Sequence, residues 1–168
     1  MSQGDERLGA HDPAAWYARF GASLHRYALM ILASRQDSED AVQQVFARLL
    51  QGREAVKPDA VEAYLRTAVR NECFSLLRLR QRRNGEGDET LLEAVAMERE
   101  SDPAERLALE AALRELPADQ REVVHLKAFE GLTFQEIADL TSESINTVAS
   151  RWRYAMEKLR TVLRSRPS

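Results

Sequence analysis

The chain has 168 residues, 24 Lys and Arg against 27 Asp and Glu, a formal net charge of -3 and 44% hydrophobic residues, the balance of a globular chain of one domain or two small ones. No apolar run approaches the ~20 residues that cross a bilayer. The single cysteine, Cys73, excludes an internal disulfide framework and a cysteine-rich zinc site; with three scattered histidines and no glycine-rich phosphate loop, neither a cofactor, a metal nor catalysis is expected.

Residues 1–6 are polar and acidic, unlike the basic-then-apolar start of a signal peptide, so a cytoplasmic protein is expected. Residues 1–11 are read as a disordered N-terminus. Asp12-Pro13 then reads as an N-cap followed by proline at the first helical position. Trp16, Phe20, Leu24, Tyr27 and Ile31 recur every three or four residues, one apolar stripe of a helix. The polar stretch 34–37 ends it, and Asp37 or Ser38 is expected to cap the next helix, with Glu39 and Asp40 in its first turn. Val42, Val45, Phe46 and Leu49 form the apolar face of that second helix. Its outer face offers Asp40, Gln43, Gln44 and Arg48, a polar surface fit for a protein partner and equally for solvent. After a loop punctuated by Gly52 and Pro58, a third helix is predicted from about Asp59 to Arg82, with Leu65, Val69, Cys73 and Leu76 buried.

Asn71, Ser75, Arg78 and Arg82 share the opposite face of the third helix, flanked by Arg66 and Arg70. Such a stripe suits a single nucleic-acid strand, with cations on phosphates and an amide on a base. Tyr64 and Phe74 are placed for base stacking or for packing. The segment 84–102 has two glycines and many acids and reads as a flexible acidic linker; Leu91, Leu92, Val95 and Met97 in it fit a short docking helix. Residues 1–83 carry a net +3, residues 84–110 a net -7 and residues 111–168 a net +1, so two neutral-to-basic lobes flank an acidic segment. Basic residues also suit helix C-termini for electrostatic reasons alone.

Asp102-Pro103 with Glu105 is another helix start, followed by Leu109, Ala112, Leu113 and Leu116 on an apolar face. Pro117 restarts the chain, with Val123, Val124 and Ala128 inward. Gly131 stops this helix, and Thr133 with Glu136 fits a capping box for a short helix bearing Phe134, Ile137, Ala138 and Leu140. A tight turn at Thr141, Ser142 and Glu143 leads to a long helix capped by Ser144, with Ile145, Val148, Trp152, Met156, Leu159 and Leu163 inward. Short helix, turn and longer capped helix make a helix-turn-helix, whose second helix enters a major groove. Asn146, Thr147, Ser150 and Tyr154 lie opposite the apolar stripe and Arg151 and Arg153 flank them, chemistry suited to base edges and phosphates. The expected fold is therefore all-α: two small helical domains, 12–83 and 103–168, joined by the acidic linker 84–102.

In this order, residues 37–46 (DSEDAVQQVF), 64–71 (YLRTAVRN) with the basic end through Arg83, 116–124 (LPADQREVV) and 131–138 (GLTFQEIA) with Thr147-Val148 resemble the extracytoplasmic-function group of bacterial RNA polymerase sigma factors. The resemblance runs from about Trp16 to Leu163. It implies a protein that binds core RNA polymerase at the β′ clamp and β flap, the first through Asp37, Glu39, Asp40, Gln43, Gln44 and Arg48. It implies that Arg66, Arg70, Asn71, Ser75, Arg78 and Arg82 melt and read a -10 element, Asn71 capturing a flipped base. It further implies that Ser144, Asn146, Thr147, Ser150, Arg151, Arg153 and Tyr154 read a -35 duplex. An anti-sigma partner is usual for the family, and no catalysis is implied. Ser75, Gln44, Ser142, Glu143 and Ala149 depart from the family's common residues; the missing cation at Ala149 lowers the expected salt slope by about one unit.

Two readings from the residues alone stay open: a stand-alone regulator using only the last lobe, and a polymerase binder that does not touch DNA. The basic stripe around Asn71 speaks against the first, and Glu143 and Ala149 keep the second open. The acidic linker, next in sequence to Arg78–Arg83, leaves room for a clasped arrangement that hides both DNA faces.

Overall fold

The computed structural model describes residues 11–52, 56–83 and 102–165, without the side chains of Pro58 and Arg83. The expected disordered N-terminus, apart from His11, and the linker up to residue 101 with its docking helix lie outside the described residues. Among the described residues all regular structure is helical.

In the first lobe, α1 (Pro13–Leu32) starts at Asp12, whose carboxylate accepts from the N–H groups of Ala14 and Ala15. Ala33, at φ 50°, turns the chain sharply, and α2 (Arg35–Leu50) follows. Its cap is Ser34, which accepts from the Asp37 N–H, and not Asp37 or Ser38. The cap falls earlier than expected because the Ser38 hydroxyl is spent on the Ser34 carbonyl and Asp37 already sits in the first turn. A single 3-10 turn at Pro58–Ala60 precedes α3 (Val61–Arg83). Trp16, Leu24, Tyr27 and Ile31 meet Val42, Val45, Phe46, Leu49, Leu65, Val69 and Cys73 in one core. Each large apolar side chain so buried contributes about 1.5–3 kcal/mol.

The second lobe begins with α4 (Pro103–Arg114), capped by Asp102, and α5 (Ala118–Val124), which starts after Pro117. A π-helical turn, His125–Phe129, continues α5, and the Glu130 N–H reaches the His125 carbonyl at 3.0 Å. This wider turn shifts the helical register. Ala128, expected inward, is exposed, while Leu126 is fully buried. Gly131, at φ 73°, takes the left-handed conformation that ends the segment. The Thr133–Glu136 capping box forms in full at the start of α6 (Phe134–Thr141), and Ser144 caps α7 (Ile145–Arg164) through the Thr147 N–H. Ser142, at φ 55°, makes the turn between them. Val148, Ala155 and Leu159 are the buried line of α7; Ile145 and Leu163, expected inward, are exposed at the two ends of the helix.

The lobes are clasped. Val123, Leu126, Ile137, Ala138 and Val148 of the second lobe join the core of the first, and Leu29 and Met30 of α1 sit among Leu113, Val124, Ala155 and Leu159. The end of α1 shows how closely they fit. A helix leaves its last carbonyls without intrahelical partners, and α1 has no basic residue in its last turn. Arg121, buried in α5, donates to the carbonyls of Met30 and Ile31 at 2.6 Å each, and Arg80 of α3 donates to that of Leu32 at 3.0 Å. Arg121 also reaches the Leu116 carbonyl at 2.8 Å. Burial, then the neighbouring Arg80 charge, lowers its pKa to about 10, still well above neutrality.

Candidate nucleic-acid and polymerase interfaces

The helical period places Asn71, Ser75, Arg78 and Arg82 on one exposed face of α3. Arg78 donates to the Ser75 hydroxyl at 3.0 Å. Asn71, Ser75, Arg78 and Gln81 line one wall of an open groove of about 570 Å³ whose other wall holds Asp119, Glu143 and Arg151. Cations, amides and hydroxyls along an open groove suit a strand's phosphates and bases. Phe74 is half-buried against the core under the Arg70 guanidinium, 4.6 Å from its ring centre, so it packs. Tyr64 is likewise packed against the core.

Arg70 borders this groove, but its guanidinium, like that of Arg66, is held by carboxylates in the seam between the lobes. Arg70 donates from Nε and Nη2 to the two carboxylate oxygens of Glu122, at 2.6 and 3.3 Å. The Tyr27 hydroxyl donates to the same carboxylate at 2.5 Å. Arg66 reaches Glu130 at 2.5 Å and Glu62 at 3.0 Å. Glu130 also meets His125 at 3.2 Å and accepts from Ser23 at 3.4 Å. The hydrogen bond with His125 is the main reason that the Glu130 pKa falls from 4.5 to about 2, with Arg66 adding to it against the effect of burial. Burial pushes the Glu122 carboxyl above its ordinary value, opposed by Arg70 and Tyr27. Burial works against the Arg70 charge, but Glu122 outweighs it and raises the Arg70 pKa.

On α7, Asn146, Arg153 and Tyr154 are exposed, and Ser150 and Thr147 are half-buried. The Ser144 and Thr147 hydroxyls lie 2.9 Å apart at the helix start. The Arg153 guanidinium lies 5.1 Å from the centre of the Tyr154 ring. Arg151 is held within its own lobe, 3.3 Å from Asp119 and 3.2 Å from Glu143. On α2, Glu39, Asp40, Gln43 and Gln44 form an exposed acidic and amide surface. Asp37 is turned to Arg80 and Arg48 pairs with Glu72 at 2.9 Å, so both brace the first lobe.

Sequence reasoning singled out neither Glu122 nor Glu130, nor Arg121. One local sign existed: Arg121 and Glu122 stand directly before Val123 and Val124, inside a segment whose apolar neighbours are buried.

Residues 16–83 match the family described as Sigma-70 region 2, and residues 106–159 that described as Sigma-70, region 4. The ECF RNA polymerase sigma factor SigL of Mycobacterium tuberculosis is 31% identical over 154 residues, covering 89% of this chain and 87% of SigL. The RNA polymerase sigma factor SigV of Bacillus subtilis is 29% identical over 137 residues, 81% of each chain. The fold is also that of the sigma factor RpoE of Bartonella quintana, solved with the anti-sigma factor NepR, at a TM-score of 0.71 and 24% identity over 91% of this chain and 97% of that one. CnrH, solved with the cytosolic domain of CnrY, has a TM-score of 0.64 at 23% identity, over 99% of this chain and 93% of CnrH. With both sigma regions in order along one all-helical chain, the protein belongs to the ECF RNA polymerase sigma factors, which direct promoter-specific initiation of transcription.

Proposed function

We propose that this sigma factor works in the cytoplasm as a non-catalytic subunit, its two DNA-reading domains being residues 12–83 and 103–168 joined by the linker 84–102. The first holds core polymerase at the β′ clamp through the exposed side of α2, where Glu39, Asp40, Gln43 and Gln44 contribute directly and Asp37 and Arg48 keep the surface in shape. The second meets the β flap. Arg66, Arg70, Asn71, Ser75, Arg78 and Arg82 of α3 bind the opened -10 strand, with Asn71 as the base reader. Ser144, Asn146, Thr147, Ser150, Arg151, Arg153 and Tyr154 of α7 dock on the -35 duplex.

The observation that carries this reading is the pairing of two surfaces. The exposed amide and cation stripe of α3 suits a single strand. The capped start of α7 carries exposed amide and guanidinium groups suited to a major groove. RpoE and CnrH were each solved with a protein partner, NepR and CnrY; an anti-sigma partner for this chain is part of the same proposal.

The test is co-elution of the purified protein with bacterial core RNA polymerase on a sizing column. A 1:1 complex, weakened by Glu39→Lys with Gln43→Lys, is expected. A folded protein that elutes apart from active core contradicts the reading and favours a stand-alone helix-turn-helix regulator.

A further inference from the structure

Two of the arginines assigned to the -10 strand already hold anions. Arg66 and Arg70 stand one turn apart on α3, with side chains only 18% and 16% exposed, and the carboxylates of Glu130 and Glu122 that hold them come from the other lobe. Arg70 grips Glu122 through two nitrogens, the geometry in which a guanidinium also grips a phosphate. The carboxylates are aimed from behind. Tyr27 donates to Glu122, while Ser23 and His125 meet Glu130. Buried ion pairs are a weak source of stability compared with apolar packing of the same volume, and this seam already has apolar packing on both sides. Further along α3, Asn71, Ser75 and Arg78 are exposed along the groove that Arg70 also borders and that Asp119 and Glu143 of the second lobe face, so the open part of the stripe continues directly from the clasp. Beside Arg66, the second lobe adds Glu136 and Asp139 to the rim of a second groove.

We propose that Glu122 and Glu130 are phosphate surrogates, which occupy Arg66 and Arg70 in the clasped chain and must leave before those arginines take the backbone of a single DNA strand. The proposal rests on the reading of α3 as the strand-binding helix. Its consequence is mutual exclusion. Strand capture drives the lobes apart, and by linkage anything that holds the lobes together weakens strand capture by the same factor.

The experiment uses the full chain with donor and acceptor dyes on Ala47→Cys and Arg160→Cys, two exposed positions on α2 and α7; Cys73 is buried. The probe is a short single-stranded oligonucleotide of mixed sequence. The expected result is a rise in the dye separation as the oligonucleotide is added. In Glu122→Gln/Glu130→Gln, affinity rises about tenfold, the factor for a parent closed nine-tenths of the time. The salt slope stays close to that of the parent, because Arg66 and Arg70 neutralise the same two phosphates in both complexes. Glu130→Gln alone, which leaves the buried Glu122 in place, gives a smaller rise in affinity and keeps the test valid if the double variant folds poorly. Equal affinity in parent and variants, at constant dye separation, overturns the surrogate role; if Arg78→Ala still weakens binding, the reading of α3 survives. Binding that is absent in every variant, or indifferent to Arg78→Ala, overturns both.

Discussion

Helices α3 and α7 both turn amides, hydroxyls and arginines outward, yet they hold their cations differently. On α7, Arg151 is tied to Asp119 and Glu143 of its own lobe, and Asn146, Arg153 and Tyr154 are exposed while the lobes are clasped. On α3, Arg70 and Arg66 are tied to carboxylates 52 and 64 residues away in the other lobe, and only the stripe from Asn71 onward is open. The reading surface of α7 is thus a local property of one helix and its cap, whereas that of α3 depends on how the lobes are arranged. Substitutions that separate these dependencies test the comparison.

The largest effect is expected from Val45→Asp, which puts a lone carboxylate into the core under α3. A loss of about 4 kcal/mol or more removes the cooperative thermal transition of the first lobe; an unchanged melting curve would mean that this core does not support α3. Next is Arg121→Ala. Losing three charge-assisted hydrogen bonds that link α5 to the end of α1 and to Leu116 costs about 3 kcal/mol, read as a lower melting temperature and a larger separation of the lobes.

Acid then distinguishes the two helices. The Glu130 pKa is lower in the folded chain than its ordinary 4.5, so its contribution is complete above that value and is lost as the pH falls towards about 2. The loss is at most about 3 kcal/mol and acts on the seam that covers Arg66. Melting curves taken across this range should flatten in Glu130→Gln; the same acid dependence in variant and parent would assign it to another group.

Asn71→Ala is smaller and purely functional. It is expected to slow promoter opening about tenfold while leaving closed-complex affinity unchanged, since one hydrogen bond to an unpaired base is lost; equal loss in both steps contradicts the assignment. Ser150→Ala and Arg153→Ala should each weaken binding to a -35 duplex about fivefold at moderate salt, with strand binding by α3 unaltered. Unchanged duplex affinity would place the reading face elsewhere on α7.

How much of this was legible in the chain follows the same division. The caps at Asp12, Asp102, Thr133 and Ser144 and the inward stripes of α1 and α2 were readable because they depend on residues within one or two turns. The outward stripe of α3 was readable for the same reason. The π turn at His125–Phe129 was not, because an extra residue per turn leaves no mark in a 3.6-residue pattern, and Ala128 was misplaced in consequence. The capping of α1 by Arg121 and the pairing of Arg70 with Glu122 were not legible either. Each joins residues far apart in sequence, and a charged residue looks the same in a string of letters whether it meets solvent, DNA or a distant partner.

The most direct test of the whole account is transcription by purified core polymerase on fragmented genomic DNA, with and without this protein, followed by sequencing of RNA 5′ ends. The account predicts new start sites that appear only with the protein, share two short motifs at fixed spacing upstream, and fade with Asn71→Ala. Starts as scattered as those of core alone, from a protein that is folded and bound to core, would contradict it.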